Sequence, residues 1–180
     1  MKNKKIYLRT TRLELHSFRA NDLENALAIF YNEEIKKTYM LPDFPSRENA
    51  IALFDRLMRL SNNVNRFVYG IYKDEDLIGF INDVEITSST IEVGYVIHPD
   101  YQNQGYMTEA LKACIEELFR IGYTTVKAGH FEENIADYYI TFSFTHHGTW
   151  YYILLRQVFD ERKEYICHGY RYNSSALRYL

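Results

Sequence analysis

The sequence predicts one α/β (α+β) domain over residues 1–180, with a mostly antiparallel mixed sheet and a single crossover helix. Three observations carry this. The apolar pattern switches repeatedly between a period of two and a period near 3.6, which intersperses strands and helices. From Val96 to Ala110 a β-rich segment meets Pro99, crosses a polar loop with one glycine, Gly105, and enters an amphipathic helix. The composition, 47% hydrophobic and 25% charged over 180 residues, suits one globular chain with a real core.

The elements follow in order. Residues 6–18 read as one strand, with β-branched Thr10 and Thr11 and alternation around Leu13 and Leu15. Asn21 or Asp22 caps a helix whose stripe is Leu23, Ala26, Leu27 and Phe30, and residues 32–39 extend it. Pro42 and Pro45 break the pattern, and Ser46 caps a second helix carrying Ala50, Leu53, Phe54, Leu57 and Leu60. A hairpin spans 67–81 around the solvated turn Asp74-Glu75-Asp76, and a third strand covers 90–97. The clearest helix is 107–121, with Ala110, Leu111, Cys114, Ile115, Leu118 and Phe119 on one face and Gly122 as its stop. Strands at 124–128 and about 165–172 complete the order.

The strand–loop–helix stretch is an anion trap. The first N–H groups of a helix lack intrahelical partners, and the helix dipole adds positive charge there, so a phosphate or pyrophosphate is the expected ligand. No P-loop Lys-Ser/Thr and no dinucleotide glycine triplet occurs, which argues against an ordinary nucleotide-binding fold. A net charge of −3 gives no basic field for nucleic acid. No run is apolar enough to span a bilayer and no signal-peptide core follows Lys5, so a cytoplasmic protein is expected. Cys114 and Cys167 form no metal or redox motif and read as free buried thiols. His146 and His147 are adjacent on a strand and point to opposite faces, so no metal site is expected. The aromatic last third makes a homodimer an expectation.

Several segments together resemble the GNAT family of acyl-CoA-dependent N-acetyltransferases. They are Thr11-Arg12-Leu13-Glu14-Leu15, Ile78-Gly79, residues 91–97, the loop Gln102-Asn103-Gln104-Gly105-Tyr106-Met107, Thr108-Glu109-Ala110, and Asn134. The likeness is closest to the branch that acetylates ribosomal-protein N-termini, and covers residues 8–136 best; about 137–180 is irregular relative to the family.

The resemblance implies a GNAT fold with splayed central strands and about four helices. It implies acetyl-CoA as co-substrate, its pantetheine paired with the backbone of Tyr95, Val96 and Ile97. The backbone of Asn103, Gln104, Gly105, Tyr106, Met107 and Thr108 would wrap the pyrophosphate, and Asn134 would bond the pantetheine amides. Met107 stands where the family commonly has a small residue. The acceptor is then a primary amine (a peptide N-terminus, a polyamine or an aminoglycoside-like molecule) attacking the thioester directly. An ammonium has no lone pair, so a base must take its proton, and Glu92 resembles the residue used this way. Alternation sets Glu92, Gly94 and Val96 on one face, away from Tyr95 and Ile97. Tyr139, with Tyr138 as second choice, would protonate the departing thiolate. His98 is a further possible base, and Tyr39, Met40, Phe44 and Phe67 would line the acceptor side. Asp137, Thr141 and Phe142-Ser143-Phe144 depart from the family's helix after Asn134. That departure motivates an alternative, a CoA-binding or protein-interaction module whose catalytic half has decayed.

Overall fold

The computed structural model describes residues 3–39, 41–128, 141–146, 149–156 and 166–172. Six strands form the main sheet in chain order: β1 (Tyr7–Arg9), β2 (Glu14–His16), β3 (Tyr69–Lys73), β4 (Asp76–Ile86), β5 (Thr90–Ile97) and β6 (Thr125–Ala128). All neighbours are antiparallel except β5 and β6, which run parallel across a helical crossover. The helices are α1 (Leu23–Phe30), α2 (Glu33–Thr38), α3 (Arg47–Ser61) and α4 (Tyr106–Ile121). A second antiparallel sheet is built from β7 (Thr141–His146), β8 (Thr149–Arg156) and β9 (Ile166–Tyr172).

Two apolar layers sandwich the main sheet. On one face Leu15, Ile71, Ile81, Ile91 and Val93 pack against Ala110, Cys114 and Leu118 of α4. On the other, Val68, Tyr72, Phe80 and Val96 pack against Leu27 and Phe30 of α1 and Phe54 and Leu57 of α3. The expected stripes on α1, α3 and α4 are the ones that face the sheet. Gly122 stops α4 at φ +113, and the Tyr123 N–H reaches back to the Leu118 carbonyl at 3.1 Å. Asp74 and Glu75 both take positive φ, 50° and 74°, which gives the two-residue turn whose twist suits a hairpin.

The structure corrects several expectations. Residues 6–18 are not one strand but the hairpin β1–β2. Its turn contains no glycine or proline; the Thr10 hydroxyl closes it by accepting from the Leu13 N–H at 2.9 Å. α4 begins at Tyr106, one residue before the expected start. Asp22 does not cap α1 with its side chain; its carboxylate accepts from the Arg19 N–H and the Tyr72 hydroxyl, each at 2.6 Å. Ser46 precedes α3 without capping it, and its hydroxyl donates to Asn49. Residues 33–38 form a separate helix, α2, capped by the Asn32 side chain.

The segment before β1 is pinned by charged groups. Lys4 is buried; its Nζ donates to the carbonyls of Ser61 and Val68 at 3.0 and 2.9 Å and sits 4.4 Å above the Tyr69 ring. The Glu117 carboxylate accepts from the Lys5 N–H and from Arg120. Burial lowers the Lys4 ammonium from 10.5 to about 8, against smaller raising effects of Asp83 and Cys114. An unfolded chain releases this proton near the ordinary value. Between about pH 8 and 10.5 the unfolded state therefore binds more protons, and stability from this group rises with pH across that window. Below about 8 both states are protonated and the burial penalty is at its full value. Denaturant unfolding of wild type and Lys4→Met should show the difference shifting toward wild type between pH 7.5 and 9.5. A constant difference would mean that the amine is not desolvated. Cys114 is raised by burial and acts in the opposite sense, but it is common to both proteins.

Candidate active site

The loop from β5 to α4 has the backbone of an anion cradle. His98 starts a short 3₁₀ turn, Pro99–Tyr101, by accepting from the Asp100 N–H. Asn103 and Gly105 then take left-handed φ values of 57° and 78°. Such a run of turns points successive N–H groups to one side. Gly105 is the N-cap of α4 and places no side chain over the helix end, so the first N–H groups of α4 have no side-chain cap. Gln102, Asn103, Gln104, Gly105 and Thr108 are exposed, whereas the side chains of Tyr106 and Met107 turn into the core. The large Met107 is thus no obstacle, because it leaves only its main chain at the surface.

A clasp that sequence reasoning did not find holds this loop. The Arg12 guanidinium donates to the Gln104 carbonyl at 3.0 Å and to Glu109 at 2.7 Å, and lies 4.4 Å over the Tyr106 ring. Glu109 also accepts from the Arg12 N–H at 2.8 Å and the Thr10 hydroxyl at 2.6 Å. Burial pushes the Glu109 carboxyl up, but the hydrogen bonds from Thr10 and Arg12 outweigh it and hold it below its ordinary range. The sequence signal was present: Arg12 and Glu109 each sit in a segment singled out above, with opposite charge.

The strand leading into the loop is paired on one side along its length, from Gly79↔Ile97 to Ile86↔Ile91 with β4. On the other side the described ladder with β6 runs only from Thr90↔Thr125 to Val93↔Ala128. Residues 94–97 lie beyond it. Ile91, Val93, Tyr95 and Ile97 face α4, and Val96 faces α1 and α3. The irregularity in the β4–β5 ladder is an extra residue, Val84, in β4, so the alternation of β5 is unbroken. Glu92 therefore shares its face with Gly94 and Val96. It is half-buried, opposite Lys127 on β6 and Glu85 on β4. Burial raises its carboxyl, Lys127 opposes this and Glu85 adds to it.

On that same face Tyr39 donates its hydroxyl to Asn82 Oδ1 at 2.6 Å. Asn82 pairs with Gly94, and a Cβ at Gly94 would stand 3.1 Å from the Tyr39 hydroxyl. Tyr39 and Asn82 help to line a cavity of ≈ 220 Å³, together with Phe80 of β4 and Leu53, Arg56, Leu57 and Leu60 of α3. Phe44 packs on this side too, against Phe30 and Tyr31. Phe67 does not: it belongs to the α4 layer, edge-on to Tyr69, which overturns its assignment to the acceptor side.

The structure brings Tyr95, Val96, Ile97 and Asn103 through Thr108 together around one strand end. Met40, Asn134, Tyr138, Tyr139 and His147 lie outside the described residues. Thr141 and Phe142-Ser143-Phe144, read above as the altered end of a helix, are in strand β7. Among the described residues no cluster of three His, Cys, Asp or Glu side chains could hold a metal.

Residues 12–138 match the family described as acetyltransferase (GNAT) domain. The uncharacterized N-acetyltransferase YoaA of Bacillus subtilis is 28% identical over 134 residues, 72% of this chain and 76% of that protein. The ribosomal-protein-serine acetyltransferase of Escherichia coli is 26% identical, over 61% of this chain and 64% of that protein. Among solved structures, the RimL ribosomal L7/L12 alpha-N-protein acetyltransferase in complex with coenzyme A superposes with a TM-score of 0.64. It covers 80% of this chain and 86% of its own at 16% identity, a likeness of fold.

Proposed function

The chain belongs to the GNAT acetyltransferase family, and from that premise we propose that it moves an acetyl group from acetyl-CoA to a primary amine. It is an acyltransferase. The observation that carries the finer reading is the pair of left-handed residues, Asn103 and Gly105, set at the uncapped start of α4, after a stretch of β5 from Gly94 to Ile97 that lies beyond the described β5–β6 ladder. The backbone of Asn103 through Thr108 would bind the pyrophosphate. The main chain of Val96 and Ile97, with Tyr95, would align the pantetheine as an added strand. Asn134 would bond its amides.

The chain's own groups then have distinct tasks. The acceptor amine enters from the α1–α3 face, beside Gly94, which adds no side chain of its own next to the Tyr39 hydroxyl. Glu92, on that face, takes a proton from the acceptor's ammonium, directly or through a water, so that the neutral amine can attack. Its raised carboxyl lies nearer to neutrality than an ordinary one, which suits a base that must also give the proton up. A backbone N–H at Val96 or Ile97 holds the negative charge that develops on the carbonyl oxygen. Tyr139 protonates the leaving thiolate. The ribosomal-protein acetyltransferases among the relatives favour a protein N-terminus over a small amine as acceptor.

Incubation with acetyl-CoA and a panel of peptides, polyamines and aminoglycosides, followed by free-thiol release, tests the reaction. Release with no acceptor in such a panel would overturn it. For Glu92→Gln we expect kcat/KM to fall about 100-fold at neutral pH, with partial recovery at high pH where the amine is already neutral. A loss independent of pH would remove Glu92 from proton transfer.

A further inference from the structure

The cavity beside Tyr39 has a composition that selects among amines. Most of the residues that line it are apolar, among them Leu53, Leu57 and Leu60 of α3 with Val68 and Phe80 of the sheet side, while polar atoms make up a comparable share of its surface. Three charged residues also line it, Arg56, Arg66 and Asp83. Two of these are spent on each other. The Asp83 carboxylate is buried, receives Arg66 through both Nε and Nη2, and takes the Phe67 N–H at 2.8 Å as well. Arg56 is exposed at the edge of the cavity, and no ion pair or hydrogen bond of its side chain is found among the described residues. The uncompensated charge of the cavity is therefore positive.

Two of the lining residues stand against the reacting strand. Tyr39 and Asn82 meet Gly94, the first residue of β5 past the last described pair with β6. A side chain at Gly94 would close this connection, because its Cβ would already be 3.1 Å from the Tyr39 hydroxyl. A molecule whose amine lies at β5 can thus lay the rest of its length along Tyr39 and Phe80 toward α3. The side chains available to it there include Leu53 and Leu57 and the exposed guanidinium of Arg56.

We infer that this cavity is the acceptor's specificity pocket, and that it selects an amine followed by an apolar group and then an anion. A peptide N-terminus with an apolar second residue and an acidic third residue meets the description. A polyamine or an aminoglycoside does not, since its second and third charges would face Arg56 without a free carboxylate to receive them. The inference rests on the acetyl-transfer reading for the reaction performed on the acceptor, while the shape and charge of the cavity belong to the fold.

The test uses two peptides, beginning serine-leucine-aspartate and serine-leucine-lysine, with spermidine as the cationic small amine. Each is titrated calorimetrically into the protein saturated with coenzyme A, and each is assayed with acetyl-CoA by thiol release. Wild type should bind and acetylate the aspartate peptide at least tenfold better than the lysine peptide, with spermidine poorer than either. Arg56→Glu, a change at an exposed position, should reverse the order of the peptides and leave coenzyme A affinity unchanged. Turnover with a peptide ratio that Arg56→Glu does not alter, or a preference for spermidine, overturns the pocket assignment and leaves acetyl transfer standing. A binding preference that reverses in the variant without any turnover upholds the pocket and removes the transfer reading. Absence of both binding and turnover overturns both.

Discussion

Gly105→Glu is expected to lower coenzyme A affinity at least 100-fold while the protein remains folded. Gly105 has φ +78, a conformation that costs a residue with a Cβ about 1 kcal/mol. The added Cβ itself has room, since its nearest neighbour would be Arg12 Nη2 at 3.4 Å. The fold therefore loses only the backbone term, about 2–4 °C in melting temperature for a chain of this size. The site loses far more. A carboxylate would stand at the start of α4, where the N–H groups and the helix dipole attract the phosphates, and it would compete with Glu109 for Arg12. Calorimetry with coenzyme A on wild type, Gly105→Ala and Gly105→Glu separates the two effects. The alanine variant reports the strain alone, and the remaining loss in the glutamate variant reports the charge. Equal affinities across the three would place the phosphates away from this loop.

Gly79→Ala should be the most damaging small change in the main sheet. Gly79 is paired with Ile97, and its missing Cβ would fall on the Val96 carbonyl oxygen, well inside contact, and 3.0 Å from Ile97 Cα. Both neighbours are backbone and cannot rotate away. The strands must separate, at a cost of about 3 kcal/mol, which corresponds to a drop of about 10 °C in melting temperature. The displacement falls on residues 96 and 97, so coenzyme A affinity should fall with stability. A melting temperature within 2 °C of wild type would show that β4 and β5 are less closely apposed than described. The Gly79 and Gly105 variants thus differ in kind: one loses fold and ligand together, the other loses the ligand alone.

The parts of this architecture that sequence reveals are those governed by local rules. β5 and α4 are legible because Pro99 ends one, Gly122 ends the other, and the apolar spacing between them changes period once. The loop before α4 is legible because Pro99, a polar run with one glycine and an amphipathic helix follow one another in the chain. The β1–β2 turn was not, since Thr10 and Thr11 are strand formers and the bend is secured by Thr10 with a carboxylate 99 residues away. The side of Phe67 was not legible, since alternation sets it with Tyr69 and Ile71 but does not say which helix layer covers that face. The same holds for the acceptor cavity: Tyr39, Asn82 and Arg56 come from three elements, and no spacing in the chain announces that they meet.

The Arg12–Glu109 clasp has a consequence for the order of events in folding. Arg12 and Glu109 are 97 residues apart, and Lys5 and Glu117 are 112 apart. Closing loops of that length is slow relative to forming the β3–β4 hairpin or α4. On the ribosome, residues 3–16 emerge long before their partners and must wait for α4. The phosphate loop then acquires its geometry in the same late step that docks β1 and β2. Ligand binding at that loop and hairpin docking would share one equilibrium, so coenzyme A should slow hydrogen exchange at the amides of β1 and β2, which in the strand order lie two or more strands away from β5.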